Sequence, residues 1–512
     1  VGIDEISAIR RNRVTVELSI NALVEHLDDL FFERGTRAWR IASGVQRDMP
    51  AVPELPELVR LDAWQVVSEL LASPRVDEAK RARLVLLHRH LARAFVEAQA
   101  LPTSTKVDAF LREHTFFAAA RTYTPHEALR ELPKLAARES RVSLAGELSN
   151  QLVAEESLAA RRYDVTLEAI AKLQLTPMSF VEQLHGRALA PRLEAAQQVL
   201  DETRDAHGDL LGYALKKLEP LLIPRNAAQH DADRAALAPW LFESFRREDL
   251  THALSRCLTD LGLSPNADGR LTVDTEARPG RDPQPRVVEL RVPDQIRLLL
   301  TPDLGFETYA GWLSQWGIAL HRANVGRTLP FVERRLGDRS VIAAVGLVFE
   351  SFLLDEGWLK RYLRLTASQA KEAARAFAFR QLHHLRRSAA LALYANEATG
   401  RGTTAGLTDA YVPRLSSALG VEVPRGATLF ELDVYGDHAL HLDAFALEHL
   451  MRKHLLERFN EDFWRNPATG RWLVDLASRG QRDDAVVVGK SLEAGELSLA
   501  EAARHRVAIM GA

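Results

Sequence analysis

An apolar repeat of helical period, running from about residue 15 to 260, restricts the fold more than any other feature of this sequence. The stretches "VELSINALVEHLDDLFFERG", "DEAKRARLVLLHRHLARAFVEAQ" and "AAQQVLDETRDAHGDLLGYALKKLEPLL" each place apolar residues three and four apart. That spacing gathers them on one face of an α-helix. "RDMPAVPELPEL", "ALPTS" and, later, "GDRS" read as breaks between helices. No fixed-period repeat is present, which argues against a solenoid. Near residue 262 the character changes. "LGLSPNADGRLTVDTEARPGRDPQPRVVELRVPDQIRLLLTPDLG" is rich in Gly and Pro and holds two short β-type runs, "RLTVDTE" and "QIRLLLT". Helices resume at Glu307. The pattern predicts a mainly α protein with one small β region around residues 270–301.

Length and charge narrow the function classes. For 512 residues the length prior is about three domains, with one large helical domain also permitted. A chain of this size buries enough surface to need neither metal nor disulfide for its core. The net charge of −3 comes from interspersed charges, which argues against a nucleic-acid partner or a polybasic membrane surface. No apolar run approaches the roughly 20 residues of a membrane helix. Cys257 is the only cysteine, so a cytoplasmic location is expected. The chain opens at Val1 rather than at methionine, and a short preceding leader is expected.

The segment "GWLSQWGIALHRA", residues 311–323, carries the most information. On a helix, Tyr309, Trp312, Leu313, Trp316, Ala319 and Leu320 form one apolar stripe. Ser314, Ile318 and His321 fall on the opposite face, where an H-E-x-x-H zinc helix would present its ligands. His321 is the only strong ligand there, and a catalytic zinc needs three protein ligands. A Ser314–His321 dyad is excluded within the helix, because seven residues separate the two by about 10 Å along the axis.

From Leu261 to Leu359 the sequence resembles the thimet oligopeptidase and oligopeptidase F group of zinc metallopeptidases. In that group a turn-rich "D-x-E-x-R-P… V-P" segment and a strand lead into H-E-x-G-H-A-x-H. Here "VDTEARPG", "RVPDQIRLLLT" and then Gly317, Ala319, Leu320 and His321 match the scaffold positions. Ser314, Gln315 and Ile318 stand where the first histidine, the general base and the second histidine would be. "RRLGDRSVIAAVGLVFESFLL" resembles the helix that carries the third ligand, a glutamate; the aligned residue is Ala343, and Glu350 matches a later glutamate of the stretch. "HLDAFALEHLMRKHLLERFNEDFWRNPATGRWL" resembles the C-terminal helices of the group, with His441 where a substrate-orienting tyrosine is expected.

The resemblance implies a zincin-type oligopeptidase fold with a deep cleft. Residues 1–240 would form a helical cleft wall, and residues 241–512 a degenerate metallopeptidase-like core with C-terminal helices, with one continuous domain as the alternative. It further implies that zinc is absent and that the chain is catalytically inactive. It would bind a peptide or protein partner in or around a cleft that includes His321, Glu350, His438 and His441. The alternative is an active hydrolase with a rebuilt site using His321, Glu350 and the His438–His441 region.

Other constellations read as structural. "VVVGKS" would need a glycine at Asp484 to form a phosphate loop. His438 and His441, with Asp437 and Asp443, form a dense polar cluster that reads as a cap and solvated face rather than a metal site. His383 and His384 lie among arginines and read as a solvated basic face. Phe459, Phe463, Trp464 and Trp472 read as core.

Overall fold

The computed structural model describes residues 3–46, 49–53, 58–303 and 305–511, with side chains from residue 22 onward. It is predominantly helical. The helices that build the site are numbered here α1 (Ile3–Ala42), α2 (Glu78–Glu113), α3 (Arg204–Leu218), α4 (Gln229–Ala236), α5 (Phe306–Ala323), α6 (Ser340–Glu350), α7 (Ala367–Arg401), α8 (Asp437–Phe459) and α9 (Leu499–Gly511). The strands are β1 (Phe116–Ala118), β2 (Arg121–Tyr123), β3 (Leu271–Asp274), β4 (Arg286–Arg291) and β5 (Gln295–Leu299). Among the described residues no helix is long and apolar enough to cross a membrane.

The main core is one continuous cluster that runs from Ala159 to Met510 and contains the apolar stripe of α5. Tyr309, Trp312, Leu313, Trp316, Ala319 and Leu320 are all buried, as their spacing predicts. α7 crosses the middle of this core. Its entry is fixed by a reciprocal cap: Thr366 Oγ1 accepts from Gln369 N at 3.3 Å, and Gln369 Oε1 accepts from Thr366 N at 3.0 Å. A run of buried alanines (Ala370, Ala373, Ala374, Ala376, Ala378) keeps the helix thin, so neighbours approach it from several sides.

The β region contains three strands rather than two. Their order is β3–β5–β4, with β3 parallel and β4 antiparallel to β5. The sequence reading missed β4, "RVVELR", because its charged ends dilute the apolar alternation. The β1–β2 hairpin was also missed; its strands are only three residues each. β4 is an edge strand, and α1 covers it. Phe32 and Trp39 pack on Val288, Leu290 and Leu299. Gly35 meets the strand backbone so closely that a Cβ there would lie 2.4 Å from the carbonyl oxygen of Glu289. Covering an edge in this way removes a template for unwanted pairing.

One expected break is absent. "ALPTS" lies inside α2, which continues through Pro102. A proline removes one backbone donor from a helix interior. Here Thr103 Oγ1 donates to the Ala100 carbonyl at 2.8 Å and Thr105 Oγ1 to the Leu101 carbonyl at 2.9 Å, bonding the carbonyls around it.

Candidate functional site

α5 and α6 lie against each other, and both are almost wholly buried. On α6 the single half-open residue is Ala343. On α5 the half-open residues are Thr308, Gly311, Ser314, Gln315 and Ile318, with Glu307 more open near the start. The four positions marked by the resemblance therefore share the half-open character of a cleft floor.

The side chains at those positions are used for packing. Gly346 of α6 faces them: a Cβ there would lie 3.0 Å from Ile318 Cγ1 and 3.1 Å from Ser314 Oγ. Gly317 makes the reciprocal approach, and a Cβ on it would lie 2.7 Å from Phe349 Cδ2. Gln315 turns toward the sheet, where its Oε1 accepts from the backbone N–H of Val287 at 3.1 Å. His321 lies at the buried end of α5, away from the half-open stretch, and is 2% exposed. Burial pushes its imidazole down to about 3, helped by the adjacent Arg322. The Gly480 backbone lies alongside without closing a well-formed hydrogen bond to either ring nitrogen.

Zinc, the metal of the peptidases that the sequence resembles, does not fit these residues. Serine, isoleucine and alanine cannot provide the imidazole and carboxylate ligands a catalytic zinc requires. Among the described residues no three His, Cys, Asp or Glu side chains gather as a ligand set.

A second wall of the site comes from α7. Between Ala376 and Ala395 this helix is buried except at Arg380, His384, Arg387, Ser388 and Leu393, and His384 alone is exposed. His384 therefore faces an opening in an otherwise buried stretch of the helix. The Arg380 guanidinium donates to Glu350 Oε1 at 2.9 Å and to Glu307 Oε2 at 2.6 Å. Burial raises the Glu350 carboxyl, and Arg380 partly offsets this. Arg387 is bonded to Glu431, which also accepts from Tyr411 Oη at 2.9 Å.

The protein enclosing His384, together with Arg380, His383, Arg387 and His441, holds its imidazole well below the ordinary range. His441 packs edge-on against Phe445, with ring centroids 5.0 Å apart, and burial lowers it to about 4. His438 is lowered by burial as well, with Asp433 opposing. Glu350, His438 and His441 thus belong to one polar wall connected through Arg380, His384 and Arg387, whereas His321 stands apart.

The floor of the cleft is tied to its N-terminal side by Asp437. It accepts from Arg339 at 2.6 Å and from Arg93 of α2 at 3.4 Å. Asp443 is held by Arg187 at 2.8 Å and Arg192 at 3.3 Å. The acidic members of the His438–His441 cluster are therefore committed to ion pairs. Asp484 is a helix N-cap, accepting from Val486 N and Val487 N at 2.9 Å each.

His384 is the site residue that sequence reasoning passed over. The same dipeptide that suggested a solvated basic face separates into a cleft residue and a core residue. His383 is 1% exposed; its Nδ1 lies 3.1 Å from His207 Nε2, and its Nε2 lies 3.4 Å from Asp233 of α4. The available signal was the spacing Arg380–His384–Arg387, which sets three polar residues on one face of an alanine-rich helix.

No protein-family model and no curated protein matches this sequence. Solved structures with the same fold do. An M32 carboxypeptidase from Deinococcus radiodurans R1 superposes with a TM-score of 0.60 at 12% identity, covering 96% of this chain and 99% of that one. A Pyrococcus furiosus carboxypeptidase gives 0.59 at 14% identity, over 95% and 97%. A putative oligoendopeptidase F from Bacillus anthracis str. Ames gives 0.59 at 11%, over 90% and 83%. Identities this low establish the fold alone: the chain has the mainly α, oligopeptidase-like fold of these peptidases.

Proposed function

We propose that this chain is a catalytically silent member of the peptidase fold that binds a peptide or protein partner in its cleft, without zinc. The observation that carries the reading is the contact of Gly346 with Ser314 and Ile318. Ser314 and Ile318 are used in packing α5 on α6 and offer no zinc ligand, and Gln315 is engaged with the sheet. What remains accessible is the wall formed by Arg380, His384, Arg387, His438 and His441. Its imidazoles are neutral at pH 7, so each can donate one hydrogen bond and accept another, which suits a peptide backbone. Cys257 is buried and its thiol is pushed up to about 12, so it adds no nucleophile. That inert thiol is compatible with the reducing cytoplasm proposed for the chain.

A rebuilt hydrolase is the competing reading. It is favoured by Glu350, a carboxyl raised by burial on the same wall as His384 and His441. The two separate in one experiment. Purified protein is incubated with a defined peptide library, and retained and cleaved peptides are read by mass spectrometry beside elemental analysis. Binding without cleavage or stoichiometric zinc, lost when His384→Trp fills the wall, is the expected result. Turnover that disappears in Gln315→Ala or Glu350→Gln would establish the hydrolase instead.

A further inference from the structure

Along α7 toward its N-terminus, apart from the cleft wall, lies a hollow of about 250 Å³. Phe379 and Met510 of α9 are buried against it, and Leu210 and Trp240 form its sides. Its aromatic walls are held by Glu372. That carboxylate accepts from Tyr213 Oη at 3.1 Å and from Trp240 Nε1 at 3.2 Å, with Lys217 Nζ at 3.5 Å. These contacts engage the Glu372 charge.

Two other charges line the hollow and are not engaged. Asp209 of α3 is exposed and Arg375 is half-buried, and neither has a hydrogen-bond or ion-pair partner among the described residues. The Nε of Arg375 is buried without an acceptor. A buried donor left unpaired is unfavourable, and ligand pockets characteristically combine an apolar body with a few such convergent polar groups.

We propose that this hollow binds a free amino acid with an apolar side chain. The α-carboxylate is taken by Arg375, the α-ammonium by Asp209, and the side chain enters among Phe379, Trp240 and Met510. Charge complementarity selects this class. A simple anion would meet the free carboxylate of Asp209, and a simple cation would meet the free guanidinium of Arg375. A zwitterion satisfies both, and the volume limits the ligand to about the size of one residue. The site is independent of what the cleft binds.

Isothermal titration of the full chain with L-phenylalanine, 3-phenylpropionate and phenethylamine tests the assignment. L-phenylalanine is expected to bind saturably, with each half-ligand weaker by about tenfold or more, the equivalent of about 1.4 kcal/mol. Arg375→Met should weaken L-phenylalanine by a similar factor, whereas Asp209→Asn should weaken L-phenylalanine but strengthen 3-phenylpropionate. The proposal is overturned if L-phenylalanine does not saturate, if either half-ligand binds as tightly, or if both folded variants bind unchanged. The ligand series uses unaltered protein, so a misfolded variant does not spare the proposal.

Discussion

Gln315 and Val287 are joined by a 3.1 Å hydrogen bond from the strand's backbone N–H to the side-chain carbonyl of the helix. The residue that the resemblance sets at the place of a zinc peptidase's base is thereby a structural tie between α5 and the edge strand β4. A carbonyl accepts this bond as well as a carboxylate does, so the position has no need of a charge.

The tie predicts a graded mutational response. Gln315→Ala leaves the half-buried Val287 N–H without its partner and should cost about 0.5–1.5 kcal/mol. Gln315→Glu keeps an acceptor and should cost less than the alanine. Urea unfolding of the three proteins measures this. Equal loss in both variants would show that shape, not the hydrogen bond, holds the site.

The close contact of α5 with α6 can be tested at Gly317. Alanine there gains up to about 1 kcal/mol of helix propensity. Its Cβ would lie 2.7 Å from Phe349 Cδ2 and 3.1 Å from the Val345 carbonyl. The backbone atom cannot swing aside, so overpacking of roughly 1–3 kcal/mol should outweigh the gain. A net fall in thermal midpoint is expected for Gly317→Ala. A rise would mean that the helices separate readily.

Legibility in the sequence followed what each level of pattern encodes. The α5 stripe was readable because Tyr309, Trp312, Trp316 and Leu320 repeat at helical period and all end up buried. β4 was not, because its burial comes from α1, more than 240 residues earlier in the chain, through the approach of Gly35 to Glu289. Periodicity reports a residue's own helix face and says nothing of a covering element. His383 and His384 show the same limit: adjacent in sequence, they point 100° apart, one into the core and the other into the cleft. A flanking arginine run cannot tell those environments apart.

Buried neutral imidazoles predict acid sensitivity. His321 has a folded value of about 3 against an ordinary 6.5, so below pH 6.5 the unfolded chain binds a proton that the folded chain does not. Stability should be level above about pH 7 and fall as the pH drops through 6.5. This one group should cost about 1.4 kcal/mol by pH 5.5. His207, also lowered by burial, acts in the same direction. Melts of the native protein and His321→Leu at pH 7.5 and 5.5 isolate the first contribution. An unchanged pH dependence in the variant would show that His321 is charged in the folded state.

Stability should also be independent of metal. A fold held by a structural zinc loses on the order of 10 kcal/mol on chelation. The described core is closed by apolar packing without a gathered ligand set. Melts with and without EDTA are expected to superimpose; a midpoint lowered by chelator would reveal a structural metal.

Rebuilding the metal site should require four changes at once. Ser314→His, Gln315→Glu, Ile318→His and Ala343→Glu together supply two imidazoles, a base and a carboxylate. α5 already carries residues 314 and 318 on one half-open face, and Gly346 opposite them carries no side chain of its own. New rings at 314 and 318 can therefore turn outward toward Ala343. Exchanging Ile318's packing for a polar ring should cost roughly 1–3 kcal/mol. Single restorations should leave zinc unbound, because three protein ligands are the minimum for a catalytic site. Stoichiometric zinc after exhaustive dialysis is expected for the quadruple variant alone. Peptidase activity need not follow, since His441 stands where the resemblance places a substrate-orienting tyrosine. A folded quadruple variant that holds no zinc would show that these four positions do not converge, and would remove the basis for treating them as a lost metal site.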